Sequence, residues 1–210
     1  SPHEPGICSY CRPRIFLKAL KRRISMNLSQ LYKLANEGDV NAQHGLGTML
    51  HEGQTVTQNF EESLMWLTKA AKQNHHQCQY NVGYMHLNAE GTEQDDEQAL
   101  YWFEKAAESG LPEAQNYAGM MYRCGNGVEQ SFEEAFIWLS IGANNGHPEC
   151  QCNLASMYLD GDGVPESIYE GAEWVNLAFQ QGCEFAAEMI DEYELWDIVD
   201  GWYEWMNSQQ

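Results

Sequence analysis

Apolar and small residues recur at intervals of three and four positions along most of the chain. In "AQNYAGMMY", Ala114, Ala118 and Met121 fall on one side of a helix, and "FEEAFIWLSIGA" places Phe132 and Leu139 in the same way. This spacing is that of an amphipathic helix whose apolar side faces a core. The pattern predicts an all-α fold.

The helical pattern repeats with a period of 36 residues. Three residue types mark the period, and each recurs four times without an insertion: Trp66, Trp102, Trp138 and Trp174; Gln43, Gln79, Gln115 and Gln151; Met49, Met85, Met121 and Met157. A fixed period of this length indicates a repeat architecture. Four units are predicted, at residues 41–76, 77–112, 113–148 and 149–184.

Each unit divides into two predicted helices joined by glycine-containing turns such as "CGNGV" and "DGDGV". The second helix ends at a position that suits a left-handed cap, which is held by Gly110, Gly146, Gly182 and, in the first unit, Asn74. Proline follows two residues later, at Pro112 and Pro148, where it can open the next helix. No Gly-Lys-Ser/Thr sequence follows the turns, so they are predicted to join helices rather than to bind phosphate.

Small residues recur where two helices must approach closely. One first-helix position holds Gly47, Gly83, Gly119 and Ala155, and one second-helix position holds Ser63, Ala99, Ala135 and Gly171. A single helix pair cannot bury its apolar side alone, so neighbouring units must stack. The pattern predicts an α-solenoid.

The repeat resembles the Sel1-like repeat family, a relative of tetratricopeptide repeats, most clearly in "AQNYAGMMYRCGNGVEQSFEEAFIWLSIGANNG". The resemblance covers residues 41–184; the departures are "AEGT" in the second unit and the loss of Lys-Ala-Ala from the last two. It implies a right-handed solenoid that acts as a non-catalytic adaptor and binds a partner protein on a concave surface lined by first helices. Some extracellular members carry a regular cysteine pair in each repeat, and this chain does not.

The resemblance to tetratricopeptide repeats also implies which first-helix residues face the groove: His44, Thr48, Glu52, Tyr80, Tyr84, Asn88, Asn116, Met120, Arg123, Cys152, Ser156 and Asp160. From these we select Tyr80, Tyr84, Asn88, Asn116, Met120, Arg123 and Asp160 as candidate partner-binding residues, because aromatic and amide groups can hold a peptide. The alternative is that these side chains are merely exposed.

The two ends of the repeat array are expected to be capped. Residues 26–40 predict an N-terminal capping helix, and residues 185–210 predict an acidic, aromatic C-terminal one. In the latter, the helical spacing places Leu195, Trp196, Ile198, Val199, Trp202, Tyr203, Trp205 and Met206 on one half and Glu194, Asp197, Asp200 and Glu204 on the other. The tryptophans are interpreted as a lid over the last repeat rather than as a docking strip, and Asp197, Asp200 and Glu204 as an outer, partner-binding face.

Residues 1–25 carry a net charge of +5, against −25 for the rest of the chain. We interpret them as upstream or vector-derived sequence, or a disordered segment, preceding a start at Met26. The alternatives are a basic arm that folds back on the acidic body and a targeting segment. The run "IFLKAL" is too short for a secretory signal, and no stretch approaches the roughly 20 apolar residues of a membrane span. We expect a cytoplasmic protein with no membrane partner.

The whole chain holds 31 acidic and 11 basic residues, for a net charge of −20. This charge opposes binding to nucleic acid and favours a partner protein with a basic surface. It leaves two other interpretations open: acidity that serves only solubility, and an immunity or inhibitor protein that neutralises a basic toxin such as a nuclease.

Candidate chemistry is sparse. The pair Cys8 and Cys11 has the spacing of metal ligands but lacks a matching second pair, and His75 and His76 are expected to point their rings apart. We therefore predict no metal site and no cofactor. The seven cysteines are expected to be free thiols, with Cys78 and Cys150 as small core residues. No nucleophile, base and acid recur as a catalytic set, so an enzyme is the least favoured interpretation.

Overall fold

The computed structural model describes residues 28–199 and 201, and these form helices joined by turns and short loops. The helices, numbered here in chain order, are α1 (Leu28–Asn36), α2 (Val40–Glu52), α3 (Phe60–Ala71), α4 (His76–Leu87), α5 (Asp96–Glu108), α6 (Pro112–Cys124), α7 (Phe132–Asn144), α8 (Pro148–Asp160), α9 (Ile168–Gln180) and α10 (Glu184–Glu192). Consecutive helices pack side by side along the whole series. The prediction of an all-α solenoid is confirmed.

The helix ends follow from local sequence. In each of the four units, the second helix is preceded by an N-cap residue. The side chain of this residue accepts a hydrogen bond from the backbone N–H three positions further along the chain. The four N-cap residues are Asn59, Asp95, Ser131 and Ser167. The predicted left-handed caps are also present, with φ of 63° at Asn74, 86° at Gly110 and Gly146, and 78° at Gly182. These caps turn the chain from one unit into the next.

The hydrophobic core runs across the junctions between units. One cluster joins Ala135 and Leu139 of α7 to Leu154 and Met157 of α8, which belongs to the next unit. At the N-terminal end, Leu31 of α1 packs in a cluster with residues of α2 and α3. Because each cluster draws on neighbouring helix pairs, no single unit has a complete core of its own.

A buried glutamine in each first helix ties it to the preceding unit. The Nε2 atoms of Gln43, Gln79, Gln115 and Gln151 donate to the backbone carbonyls of Ala35, Ala71, Ala107 and Ala143, at 3.0, 3.2, 3.2 and 3.2 Å. Each acceptor lies in the last turn of a helix, and its carbonyl also accepts the backbone N–H three residues on, which belongs to Gly38, Asn74, Gly110 or Gly146. At four successive junctions the buried glutamine amide therefore gains its partner by adding a second hydrogen bond to a carbonyl of the preceding unit.

The small-residue column allows close helix contact. A Cβ atom added at Gly119 would lie 2.6 Å from Cγ of Leu139, and one at Gly47 would lie 2.6 Å from Cγ of Leu67. The fourth unit has Ala155 at this position, and the smaller Val175 in place of the leucine. A larger first-helix residue thus goes with a smaller residue on the second helix.

The C-terminal end differs from the single capping helix that the sequence predicts. The helix α10 ends at Glu192, Glu194 has a left-handed φ of 53°, and a new helical turn starts at residue 196. Leu195 and Val199 are fully buried against the last repeat. Trp196 is expected in the lid but lies at the edge of this contact and is 38% exposed. Its ring packs edge-on against Phe179, and its indole N–H donates a hydrogen bond to Asp191.

The small-residue column predicts a compensating pair. Gly119→Ala should lower the free energy of unfolding by about 1–3 kcal/mol, because the added methyl group collides with Leu139. Gly119→Ala combined with Leu139→Val reproduces the Ala155/Val175 pair. The double variant should lose less free energy of unfolding than the sum of the losses in the two single variants. Urea unfolding followed by circular dichroism measures all four chains of this cycle, and strict additivity would contradict the close-contact account.

The C-terminal packing predicts that Leu195 matters more than Trp196. Leu195→Ala should destabilise this end by about 2–4 kcal/mol, since it opens a cavity in a fully buried site. Leu177→Ala, a change of the same size at a 39% exposed position of α9, is the matched control and should cost far less. Hydrogen exchange of the α10 amides is the local readout, because repeat arrays can unfold from one end. Equal exchange in the two variants would show that Leu195 does not hold the end closed.

Candidate functional site

The first helices of successive units form one side of the molecule, which we call the first-helix surface (α2, α4, α6, α8 and α10). Neighbouring first helices touch through side chains. Asn153 of α8 donates to Asn116 of α6 at 2.7 Å, and the rings of Tyr84 (α4) and Tyr117 (α6) lie 6.3 Å apart at 89°. This surface is continuous across unit boundaries and is the candidate binding site.

Three tyrosines meet at the centre of this surface. Tyr117 stacks on Phe103 with ring centroids 4.7 Å apart, while Tyr80 packs against both rings and Tyr84 meets Tyr117 edge-on. Tyr80 is only 6% exposed, so its predicted place on the groove surface is corrected to the core beneath it. Tyr84 and Tyr117 are half-buried and present the aromatic surface instead.

The polar residues predicted beside the tyrosines have partners within the protein. Asn116 accepts from Asn153, as described above, and Met120 next to it is half-buried. Asn88 is exposed at the end of α4, and its side-chain amide donates to the carbonyl of Tyr84 at 2.9 Å. Asn116 and Met120 therefore adjoin the aromatic centre, whereas Asn88 caps its own helix.

Arg123 is held by three side chains of the next unit. Its guanidinium donates to Ser156 at 2.9 Å, to Asp160 at 2.8 Å and to Asp162 at 2.8 Å. Tyr193 also donates to Asp160, at 2.9 Å, and links the network to the chain after α10. The Arg123 side chain therefore links units three and four, and its guanidinium is already engaged within the protein.

Asp162 and Tyr193 are absent from the sequence-based selection. Both lie outside the predicted groove positions, one in a turn and the other just after α10. Asp162 occupies the repeat position of Glu90, and the contact of Glu90 with His51 at 2.7 Å is the equivalent one two units earlier. Arg123 itself occupies the position of His51 and Leu87, one residue from the column of Glu52, Asn88 and Asp160.

Charge on the described residues is strongly negative. Residues 28–199 include 28 acidic side chains and only five basic ones, and Arg123 is already paired with two of the acids. Asp197, predicted on the outer face of the C-terminal segment, is exposed. Asp200 and Glu204 of the same prediction lie outside the described residues, as does the basic segment 1–25.

A cluster of two histidines and a cysteine lies between the first two units. His44 of α2, His75 and Cys78 each offer a ligand atom within 4.8 Å of the other two, and the histidine rings are 4.6 Å apart. Burial, with His75 nearby, lowers the pKa of His44 to about 4, and burial raises the pKa of Cys78 to about 12. The sequence spacing does not identify this group, because His44 lies 31 residues before His75 and only His75 and Cys78 are close in the chain.

The expectation that His75 and His76 point apart is wrong. Their rings are nearly parallel, at 14°, with centroids 5.9 Å apart. His75 is the N-cap residue of α4, and its Nδ1 accepts from the backbone N–H of Cys78 at 3.2 Å. The cap therefore sets the direction of this ring.

Within the described part of the chain, every helix is too short or too polar to cross a bilayer. A comparison with curated protein sequences gives no significant match.

Solved structures give clear similarities. A protective antigen of uropathogenic Escherichia coli with a Sel1-like repeat fold is 31% identical, with a TM-score of 0.77 over 86% of this chain and 40% of that one. A Sel1 repeat protein from Oxalobacter formigenes is also 31% identical, with a TM-score of 0.68 over 74% and 62%. The chain thus spans less than two thirds of the length of these two relatives. An immunity protein of Pseudomonas aeruginosa, 18% identical with a TM-score of 0.51 over 88% and 71%, shares the fold.

A family model for the Sel1 repeat matches residues 40–75, 76–111, 112–147 and 148–183, which together make up more than half of the chain. Each matched unit starts one residue before the unit that the tryptophan period predicts. The 36-residue period, the glycine caps and the stacked helix pairs all agree with this match. The chain belongs to the Sel1 repeat family.

Proposed function

We propose that this chain is a non-catalytic interaction module that binds a basic partner protein along the first-helix surface. Sel1 repeats are generally protein-interaction modules, which supports the general class. The observation that carries the proposal for this chain is the half-buried aromatic centre made by Tyr84 and Tyr117, with Met120 beside it.

The aromatic centre has the features of a binding anchor. Phe103 and Tyr80 support Tyr117 from below, so the ring is fixed before a partner arrives and little side-chain entropy is lost on binding. Aromatic and methionine side chains are enriched at protein interfaces, where apolar surface and a polar rim occur together. The amide pair Asn116 and Asn153 supplies the rim on one side.

The excess of acidic residues favours a partner with a positively charged surface. With 28 acidic and five basic residues in 28–199, the surrounding field attracts a positively charged surface and repels nucleic acid. The paired Arg123 presents no competing charge of its own, because its guanidinium is engaged by Asp160 and Asp162. An apolar or aromatic residue flanked by lysine or arginine is the partner feature that fits this surface.

A displayed library of random peptides tests this proposal, because the selection requires no choice of partner in advance. Peptides selected on the full chain should be enriched in Lys and Arg around an apolar or aromatic residue. Their binding should fall by about tenfold or more in a Tyr84→Ala/Met120→Ala chain, as expected for loss of a central anchor. Tyr101→Ala/Ile137→Ala, which removes two exposed apolar side chains from second helices, is the matched control and should bind normally.

Two outcomes would count against the proposal. Equal binding by the anchor and control variants would place the site elsewhere. Selected peptides without excess basic residues, whose binding does not weaken between low and high salt, would remove the electrostatic part, since screening weakens attraction between exposed charges.

The acidity also favours a second candidate, an immunity or inhibitor protein that covers a basic toxin. The similarity to the Pseudomonas aeruginosa immunity protein extends to the fold alone. The two candidates differ in what happens to the partner: an inhibitor abolishes its activity at one-to-one stoichiometry, whereas an adaptor leaves that activity intact.

A further inference from the structure

We propose that His44, His75 and Cys78 form a binding site for one thiophilic transition-metal ion of the zinc class at the junction between the first two repeats. The three ligand atoms lie within 4.8 Å of one another, and they come from two different helix pairs. Nitrogen and sulfur donors in this combination are those that Zn²⁺ prefers.

The geometry requires only a small contraction. Zinc bonds of about 2.0–2.1 Å to nitrogen and about 2.3 Å to sulfur hold the donor atoms roughly 3.3–3.8 Å apart. The ligand atoms, within 4.8 Å of one another, are thus at most about 1–1.5 Å further apart than in the bound state. His75 is half-exposed, so an ion can reach the site past this ring, and the proposal assigns water as the fourth ligand.

The repeat itself shows that these positions meet. Cys152 and Cys183 occupy the positions of His44 and His75 three units later, and their sulfur atoms are 3.9 Å apart. The same two columns therefore come into contact at both ends of the array. Of these two junctions the first adds a third ligand, whereas at the last one the position of Cys78 is held by Ala186. The third junction has His147 and Cys150 but holds Asn116 in place of His44.

Binding of the metal ion replaces the S–H bond of Cys78 and the cap hydrogen bond of His75. The S–H bond of Cys78 gives way to a sulfur–metal bond, and the proton leaves to solvent. Coordination through Nδ1 of His75 displaces the hydrogen bond from the N–H of Cys78, and coordination through Nε2 moves the ring proton to Nδ1 with the same result. The helix α4 gives up one cap bond and gains a link to α2 through the ion.

Zinc titration of the full chain carrying Cys8→Ser and Cys11→Ser tests the site, since those two thiols could bind metal themselves. Competition with a chromophoric chelator should show one tight Zn²⁺ site, and Co²⁺ should give a thiolate charge-transfer band. Cys78→Ala and His44→Asn should each weaken Zn²⁺ binding by about 100-fold or more. Cys150→Ala, the equivalent cysteine two units later, should leave binding unchanged.

The variants copy residues that the array already uses at these positions, Ala114 and Asn116, and circular dichroism checks that they fold. If Cys78→Ala did not fold, His44→Asn would decide alone. Zinc binding that is equal in the reference chain and in the folded variants, or a cobalt complex without the thiolate band, would overturn the proposal. An equal loss in Cys150→Ala would also overturn it.

From a separate contact, we infer that Cys152 and Cys183 form a disulfide under oxidising conditions. Their sulfur atoms lie 3.9 Å apart, about 1.9 Å more than the length of a disulfide bond. Cys183 is half-exposed and starts α10, whereas Cys152 is fully buried in α8. The bond would tie the last first helix to the unit before it.

Glutathione disulfide is the oxidant in the proposed exchange. The Cys183 thiolate displaces one glutathione to form a mixed disulfide, Cys152 displaces the second, and two reduced glutathiones leave with the two thiol protons. Peptide mapping after alkylation of the full chain should find the Cys152–Cys183 bond, with Cys78 and Cys150 still reduced. Cys183→Ser places a favoured N-cap residue where Cys183 makes no side-chain cap bond, so it should preserve α10 and leave Cys152 reduced. A stable mixed disulfide at Cys183, or pairing of either residue with the exposed Cys124, would refute the inference.

Discussion

The fold depends on the hydrogen bond from the buried glutamine of each first helix to a carbonyl at the end of the preceding helix. Each of these carbonyls also accepts a backbone N–H, so the group that needs the bond is the buried glutamine amide. Leaving that amide without a partner would cost free energy comparable to a lost hydrogen bond. Because donor and acceptor are eight residues apart in every unit, the bond fixes both the rotation and the axial position of the first helix. An insertion between them would misplace one group, which explains why this eight-residue junction has the same length in every unit.

The same constraint explains how the array ends. Ala187 occupies the glutamine position of α10 and Phe179 occupies the alanine position before it, so the last junction lacks this bond. The helix α10 has nine residues where the preceding first helix α8 has 13, and the chain reverses at Glu194. Burial of Leu195 and Val199 replaces the missing stacking partner. The end of the solenoid is closed by apolar contact rather than by another turn of the repeat.

The sequence predicts the features that depend on local spacing. The two helices of each unit, the left-handed caps and the close contact at Gly119 all follow from residue type and period. The candidate surface is predicted less accurately, because periodicity defines the rotation of a helix only to about one residue. Tyr80 is therefore in the core, while Tyr117, next to the predicted Asn116, is partly exposed. The role of Arg123 depends on Asp162, whose repeated position lies outside the predicted groove, and on Tyr193, which follows the last repeat.

The junction positions show why a repeat this regular can still carry specific chemistry. The pairs His44/His75, Tyr80/Leu111, Asn116/His147 and Cys152/Cys183 occupy equivalent positions, yet no two have the same composition. Register is already set by the glutamine bonds and the small-residue contacts, so these side chains help to fill the junctions without having to define their register. They can vary from one junction to the next as long as their volume fits. The departures from repetition, rather than the repeated columns, are therefore where the chemistry of this particular chain must reside.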